Sequence, residues 1–189
     1  MNNNEVIVPE NGIVFIYISI SILVALIISS LFFNENSQFS FYVLTWLGSF
    51  LGFFIFFKSI IVTSIANIKK RIKKSIRWPT YVKILNGLCW AAPFAFGIFI
   101  PNIYEYLVLL AVALGNISTF LIFLKFNSIR NLEQLLVGFI CILSIFIIML
   151  FYHYDLLEKI QGDYLARFFI AISFGIGGIY SFLHSKKSK

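Results

Sequence analysis

Apolar residues run along this chain in six blocks, at about 13–33, 39–62, 81–100, 104–124, 132–152 and 165–183. Each is close to the roughly 20 residues that a helix needs to cross about 30 Å of hydrocarbon. The blocks are long and continuous, without the period-two alternation of barrel strands, so the pattern predicts helices. Polar punctuation supports these boundaries. Asn34-Glu35-Asn36-Ser37 and Pro101-Asn102 are turn-forming breaks, and connections this short join antiparallel neighbours. Asn102 with Glu105, and Asn131 with Gln134, have the spacing of an N-cap and its reciprocal partner, which predicts helix starts at those two asparagines.

A different pattern occupies the interval between the second and third blocks. Ile65, Ile68, Ile72 and Ile76 recur at spacings of three and four, which lines them on one face of a helix with cations on the other. This predicts a basic amphipathic helix over about 64–77, lying at the membrane interface. Trp78 suits the headgroup level, and Pro79 disfavours helical geometry at the residue before it. Lys69, Lys70, Arg71, Lys73, Lys74 and Arg77 are the candidate contacts for anionic lipid headgroups. Setting topology is the more common role of such a segment.

Positive charge gathers in cytoplasmic loops. Placing the basic helix in the cytoplasm puts both termini there too, and leaves only Lys159 and Arg167 of the 15 Lys and Arg residues on the other side. The expected fold is therefore an all-α, single-domain bundle of six transmembrane helices over residues 1–189, with N and C termini cytoplasmic.

Composition agrees with a bilayer as the solvent. The chain is 60% hydrophobic and 12% charged, with a mean hydropathy of +0.92, a surface that water would not tolerate. The net charge of +7 would suggest nucleic acid in a soluble protein, but here the cations flank apolar spans and anionic headgroups are the nearer partner. Cys89 and Cys141 lie inside apolar runs, where cysteine serves as a small hydrophobic side chain. The first apolar run has no basic segment before it and outlasts a signal-peptide core, so it reads as retained.

Candidate chemistry is sparse. Deep charges, which mark proton relays and ion pathways, are nearly absent; Lys58 can snorkel, and Arg167 lies toward one end with Asp163 close in sequence. The neutral polar residues Trp46, Asn86, Trp90, Asn116, Ser118 and Thr119 are the candidate lining of a polar cavity. An amide in hydrocarbon needs a partner, and bonding between helices is its more common use, so Asn116 is expected to serve first as a link to a neighbouring helix. His153 with Asp155, Glu158 and Asp163 matches no closed metal-ligand spacing. No nucleophile elbow, zinc-protease motif or phosphate-cradling loop occurs, and nothing calls for a cofactor.

Small residues recur at four-residue spacing in Ser21/Ala25/Ser29, Gly48/Gly52, Gly87/Ala91/Ala95, Ala111/Gly115, Ala171/Gly175 and Ser173/Gly177. Such faces let helices approach closely, within the chain first and between chains second. In length, six-span outline and the Ser21/Ala25/Ser29 face, the chain resembles the substrate-capture subunits of energy-coupling-factor transporters, an outline that supplies no binding motif. Two function classes follow. The first is a non-enzymatic structural or accessory subunit that associates with other membrane subunits or with itself. The second is a small transporter or substrate-binding membrane subunit for a neutral or hydrophobic solute.

Overall fold

The computed structural model describes residues 9–32, 39–74, 78–127 and 130–185. These form seven α-helices: α1 (Pro9–Phe32), α2 (Phe39–Phe56), α3 (Lys58–Lys74), α4 (Thr80–Phe99), α5 (Tyr104–Asn127), α6 (Leu132–His153) and α7 (Lys159–Ser185). Five of them, α1 and α4 to α7, are each long and apolar enough to cross a membrane. A sixth candidate is the pair α2 and α3 taken together as one broken span, with an 87° bend between them. The protein is a polytopic helical membrane protein.

The bend corrects one expected boundary. The second span was expected to reach Val62, with the amphipathic helix starting near residue 64, but the chain turns at Phe57 and the new helix begins at Lys58. Ile60, Ile61 and Val62 prolong the apolar pattern past the turn, which hides it in the sequence. Lys58 supplies the reason. The turn falls at the first cation after the apolar run, and a cation there is favoured where its head can reach water or headgroups. Phe53 and Phe57 stack with ring centroids 6.2 Å apart just before the break.

Along α3 the packed residues are Ile61 and Ser64, while Ile65 is exposed. The helix continues through Lys74. The side chains of Lys69, Lys70, Arg71, Lys73 and Lys74, and Arg77 as a whole, lie outside the described residues. The last helix also differs from expectation, since α7 begins at Lys159 instead of residue 165 and so takes Asp163 and Arg167 into its first turns.

The core joins α1, α5, α6 and α7, through residues such as Phe15, Leu109, Val137, Cys141, Ile148 and Phe174. Helix α1 runs antiparallel to α7, with Phe15 and Phe174 meeting edge to face at 5.2 Å. Their backbones nearly touch. A Cβ on Gly178 would lie 3.0 Å from the Gly12 carbonyl oxygen and 2.6 Å from Ile16 Cγ1, and one on Gly12 would lie 2.9 Å from the Gly178 carbonyl. Elsewhere in the core Cys141 Sγ lies 3.3 Å from Ser173 Oγ, tying α6 to α7.

Helices of this kind associate by close packing instead of by exclusion of water. The small residues therefore divide by position. Those on α1, α5 and α7 are packed inside, with Ser21, Ala25 and Ser29 wholly inaccessible. The Ser21/Ala25/Ser29 face is thus not available as a surface for coupling to another chain. Gly48, Gly52 and Gly87, by contrast, have open space where a Cβ would stand. Gly178→Ala is expected to destabilise the protein by about 1–3 kcal/mol, as overpacking does, while Gly48→Ala leaves it unchanged; thermal unfolding in detergent measures both.

Neither expected capping box forms. Asn131 makes no side-chain cap, and its backbone carbonyl instead accepts from the Gln134 amide at 3.0 Å. Asn102 lies in a 3₁₀ turn, Pro101–Ile103, ahead of α5. The carboxylate of Glu105 reaches Lys159 on another helix. An ionic partner across the bundle outcompetes a backbone amide one turn away.

A candidate ligand cavity within the bundle

Helical periodicity brings the lining of one cavity together. Phe15, Ile18 and Ile22 form a stripe on α1; Val108, Val112, Asn116 and Thr119 form another on α5; Asp163, Arg167, Ile170 and Phe174 form a third on α7. Spacings of three and four place each set on a single helical face. Trp46, Leu47 and Phe50 from α2, and Trp90 and Phe94 from α4, complete the wall. The space they border is open on one side and holds about 950 Å³.

The cavity exists because α2 and α4 are each pinned to a different partner. The Tyr17 hydroxyl donates to the Phe50 carbonyl at 2.7 Å, and the two rings meet edge to face at 6.1 Å, which holds α2 against α1. On the other side α4 rests on α5. The Trp90 indole lies directly over Gly115, where a Cβ would come within 2.2 Å of Cδ2. Only glycine allows the ring that position, so the ring edge borders the open space. Pro93 is accommodated inside an unbroken α4.

Asn86 and Asn116 have exchanged roles relative to expectation. Asn86 is the interhelical link, because its Oδ1 accepts from the Ser118 hydroxyl at 2.7 Å and from the Thr119 hydroxyl at 3.1 Å. Asn116 lines the cavity instead, and its Nδ2 donates to its own helix at the Val112 carbonyl, 2.8 Å away. Among the six residues that the sequence offered as a cavity lining, Trp46, Trp90, Asn116 and Thr119 border it, while Asn86 and Ser118 lie on the α4–α5 seam.

Three polar residues that sequence reasoning did not put in the cavity also line it: Gln134, Asp163 and Arg167. The Arg167 guanidinium sits over the Trp46 ring, 5.3 Å from its centroid, in a cation–π contact that joins α7 to α2. Asp163 and Arg167 are one turn apart, and that spacing was the available signal. Assigning the first turns of α7 to a loop concealed it.

Beside this end of the cavity is an ionic clasp. Glu105, only 2% exposed, receives Lys159 Nζ at 3.2 Å on Oε2. The same ammonium donates to the Asn102 carbonyl. This clasp ties the start of α5 to the start of α7. The two cations that the charge pattern sets apart from the rest, Lys159 and Arg167, are therefore both engaged with other helices. Among the described residues no three of His, Cys, Asp and Glu come together as a metal-binding group. His153 instead packs its ring against Tyr154 at 5.2 Å.

Comparison with protein-family models, with curated proteins and with solved structures gave no match to this chain.

Proposed function

We propose that this protein binds a mainly apolar small molecule inside the membrane, as a small transporter or a substrate-binding membrane subunit. The observation that carries this reading is the cavity of about 950 Å³. Ligand sites commonly occupy roughly 300–1,000 Å³, are lined by apolar and aromatic groups, and hold a few polar groups that fix orientation. Asn116, Thr119 and Gln134 supply neutral polar groups among Phe, Trp, Ile and Val. The protein works by binding, without chemistry at the site.

The orientation that accompanies this reading keeps both termini and the basic helix in the cytoplasm. Lys69 to Lys74 and Arg77 then meet anionic headgroups, at about 1 kcal/mol for each cation near the surface. A second reading, an accessory subunit in a larger assembly, draws support from α4. Only 17% of its span is buried, against 44% for α1, α5 and α7, and Gly87, Ala91 and Ala95 lie exposed along it.

Native mass spectrometry of the intact chain released from mild detergent separates the two. Binding predicts a small apolar adduct that Val112→Trp, which pushes an indole into the middle of the cavity, weakens or removes while far-ultraviolet circular dichroism stays unchanged. A stoichiometric second polypeptide with no adduct supports the accessory subunit instead.

A further inference from the structure

We propose that the cavity receives a membrane phospholipid whose headgroup carries a primary ammonium beside its phosphate, with Asp163 and Arg167 reading that headgroup. This rests on the cavity binding a mainly apolar molecule, and it adds the polar chemistry of that molecule.

The argument begins with charge. Asp163 and Arg167 are the ionic side chains that line the cavity, one turn apart on α7, at the end nearest Tyr104 and Ile160. Ionisable groups that face a cavity inside a membrane bundle are expensive to leave without partners and are generally functional. Asp163 feels the charges of Arg167, Glu105 and Lys159, yet its Oδ1 is buried without a hydrogen-bond partner, and the Lys159 ammonium is taken up by Glu105 and the Asn102 carbonyl. A purely apolar molecule filling the space would strip water from both groups and return no hydrogen bonds. A simple anion would suit Arg167 but face the Asp163 carboxylate, and a simple cation would meet the reverse conflict. A headgroup bearing both signs satisfies both residues.

Geometry narrows the headgroup further. The guanidinium is a planar fork suited to a phosphate, and Trp46 holds it at the cavity wall, its Cζ 5.3 Å from the ring centroid. A carboxylate oxygen accepts hydrogen bonds, so the cationic part that it recognises carries N–H donors. A quaternary ammonium lacks them and is ordinarily held against aromatic faces. The Trp46 face is already covered by Arg167.

The rest of the molecule has a path. From Arg167 the lining continues along Ile170 and Phe174 of α7, opposite Val112 of α5 and Ile22 of α1. From Asp163 to Phe174 a helix rises about 16 Å at 1.5 Å per residue. Leu47 of α2, 54% exposed, and Phe94 of α4, 41% exposed, border the cavity from its two less packed helices. Acyl chains can enter between them directly from the bilayer.

The test uses purified full-length protein in detergent with phosphatidylethanolamine, phosphatidylcholine and phosphatidylglycerol of identical acyl chains, and a brominated alkane as an apolar probe without a headgroup. Native mass spectrometry reads lipid retention. The expected result is retention of the ethanolamine lipid about tenfold over either other lipid, the factor that one charge-assisted hydrogen bond of about 1.5 kcal/mol gives. Asp163→Asn lowers it to the level of the choline lipid. Arg167→Gln weakens all three, and Arg167→Lys, which keeps the charge but loses the fork, weakens them less. Equal retention of the three lipids, or a preference for phosphatidylglycerol that Asp163→Asn strengthens, overturns the headgroup assignment. So does binding of the alkane with no binding of any lipid, although cavity binding then survives. If neither lipid nor alkane binds, the proposed function itself fails.

Discussion

Lys159→Met is expected to destabilise the protein by about 3 kcal/mol. Glu105 is 2% exposed, and Lys159 is its ionic partner. Removing one member of a buried ion pair typically costs about 3–5 kcal/mol, because the other charge stays buried without its counter-ion, here with the Tyr152 hydroxyl as a remaining hydrogen-bond partner of Glu105. The low end applies here because the Lys159 side chain is itself 50% exposed and part of the interaction is screened by solvent. Glu105→Gln removes the charge that needs compensating and is expected to cost less. The double substitution Glu105→Gln with Lys159→Met should be more stable than Lys159→Met alone, a non-additivity diagnostic of direct coupling. Thermal unfolding of the three variants in one detergent measures it. If Lys159→Met unfolds with the wild type, the clasp contributes nothing to holding α5 against α7.

The same pair illustrates what can be read from one dimension. Hydropathy reveals where a helix can lie in a bilayer, because span length is fixed by membrane thickness, and α4, α5 and α6 begin within a residue of the expected positions. It does not reveal axis direction. Ile60, Ile61 and Val62 look like a continuing span, yet they lie beyond the 87° bend and belong to α3. Nor does it reveal rotation about the axis. Asn116 reads first as glue and Asn86 as lining until the phase of α4 against α5 is known, and that phase is set by the seat of Trp90 on Gly115. The small-residue faces make the same point. Gly48/Gly52 has the spacing of Ala111/Gly115, but one faces open space while the other is packed.

Charge was legible in number and obscure in use. On the orientation expected from the charge pattern Lys159 and Arg167 are the exceptions, and exceptions of this kind warrant a search for partners. Glu105 and Trp46 are those partners, and each lies on a helix far away in sequence, which no local spacing rule connects. The cavity was similarly indistinct, because its lining comes from stripes on several helices and each stripe alone has the appearance of ordinary core.

The largest functional effect expected is on tryptophan emission. The chain contains 3 tryptophans. Trp46 and Trp90 line the cavity, whereas Trp78 packs edge to face on Phe123 at 5.1 Å, outside it. A bromine-bearing apolar ligand quenches an indole that it touches, so occupancy of the cavity has a direct optical readout. Phe replacements that leave a single tryptophan make the three positions separable, and competition by the unbrominated compound distinguishes a site from general partition into detergent or lipid.

The decisive measurement is the titration of a brominated alkane into the Trp90-only and Trp78-only proteins. An intramembrane ligand site predicts saturable quenching of Trp90 that the unbrominated alkane reverses, with Trp78 showing only a shallow, non-saturating response. Equal and non-saturating quenching of both would contradict it, and would mean that the space between α2 and α4 is ordinary lipid-facing surface.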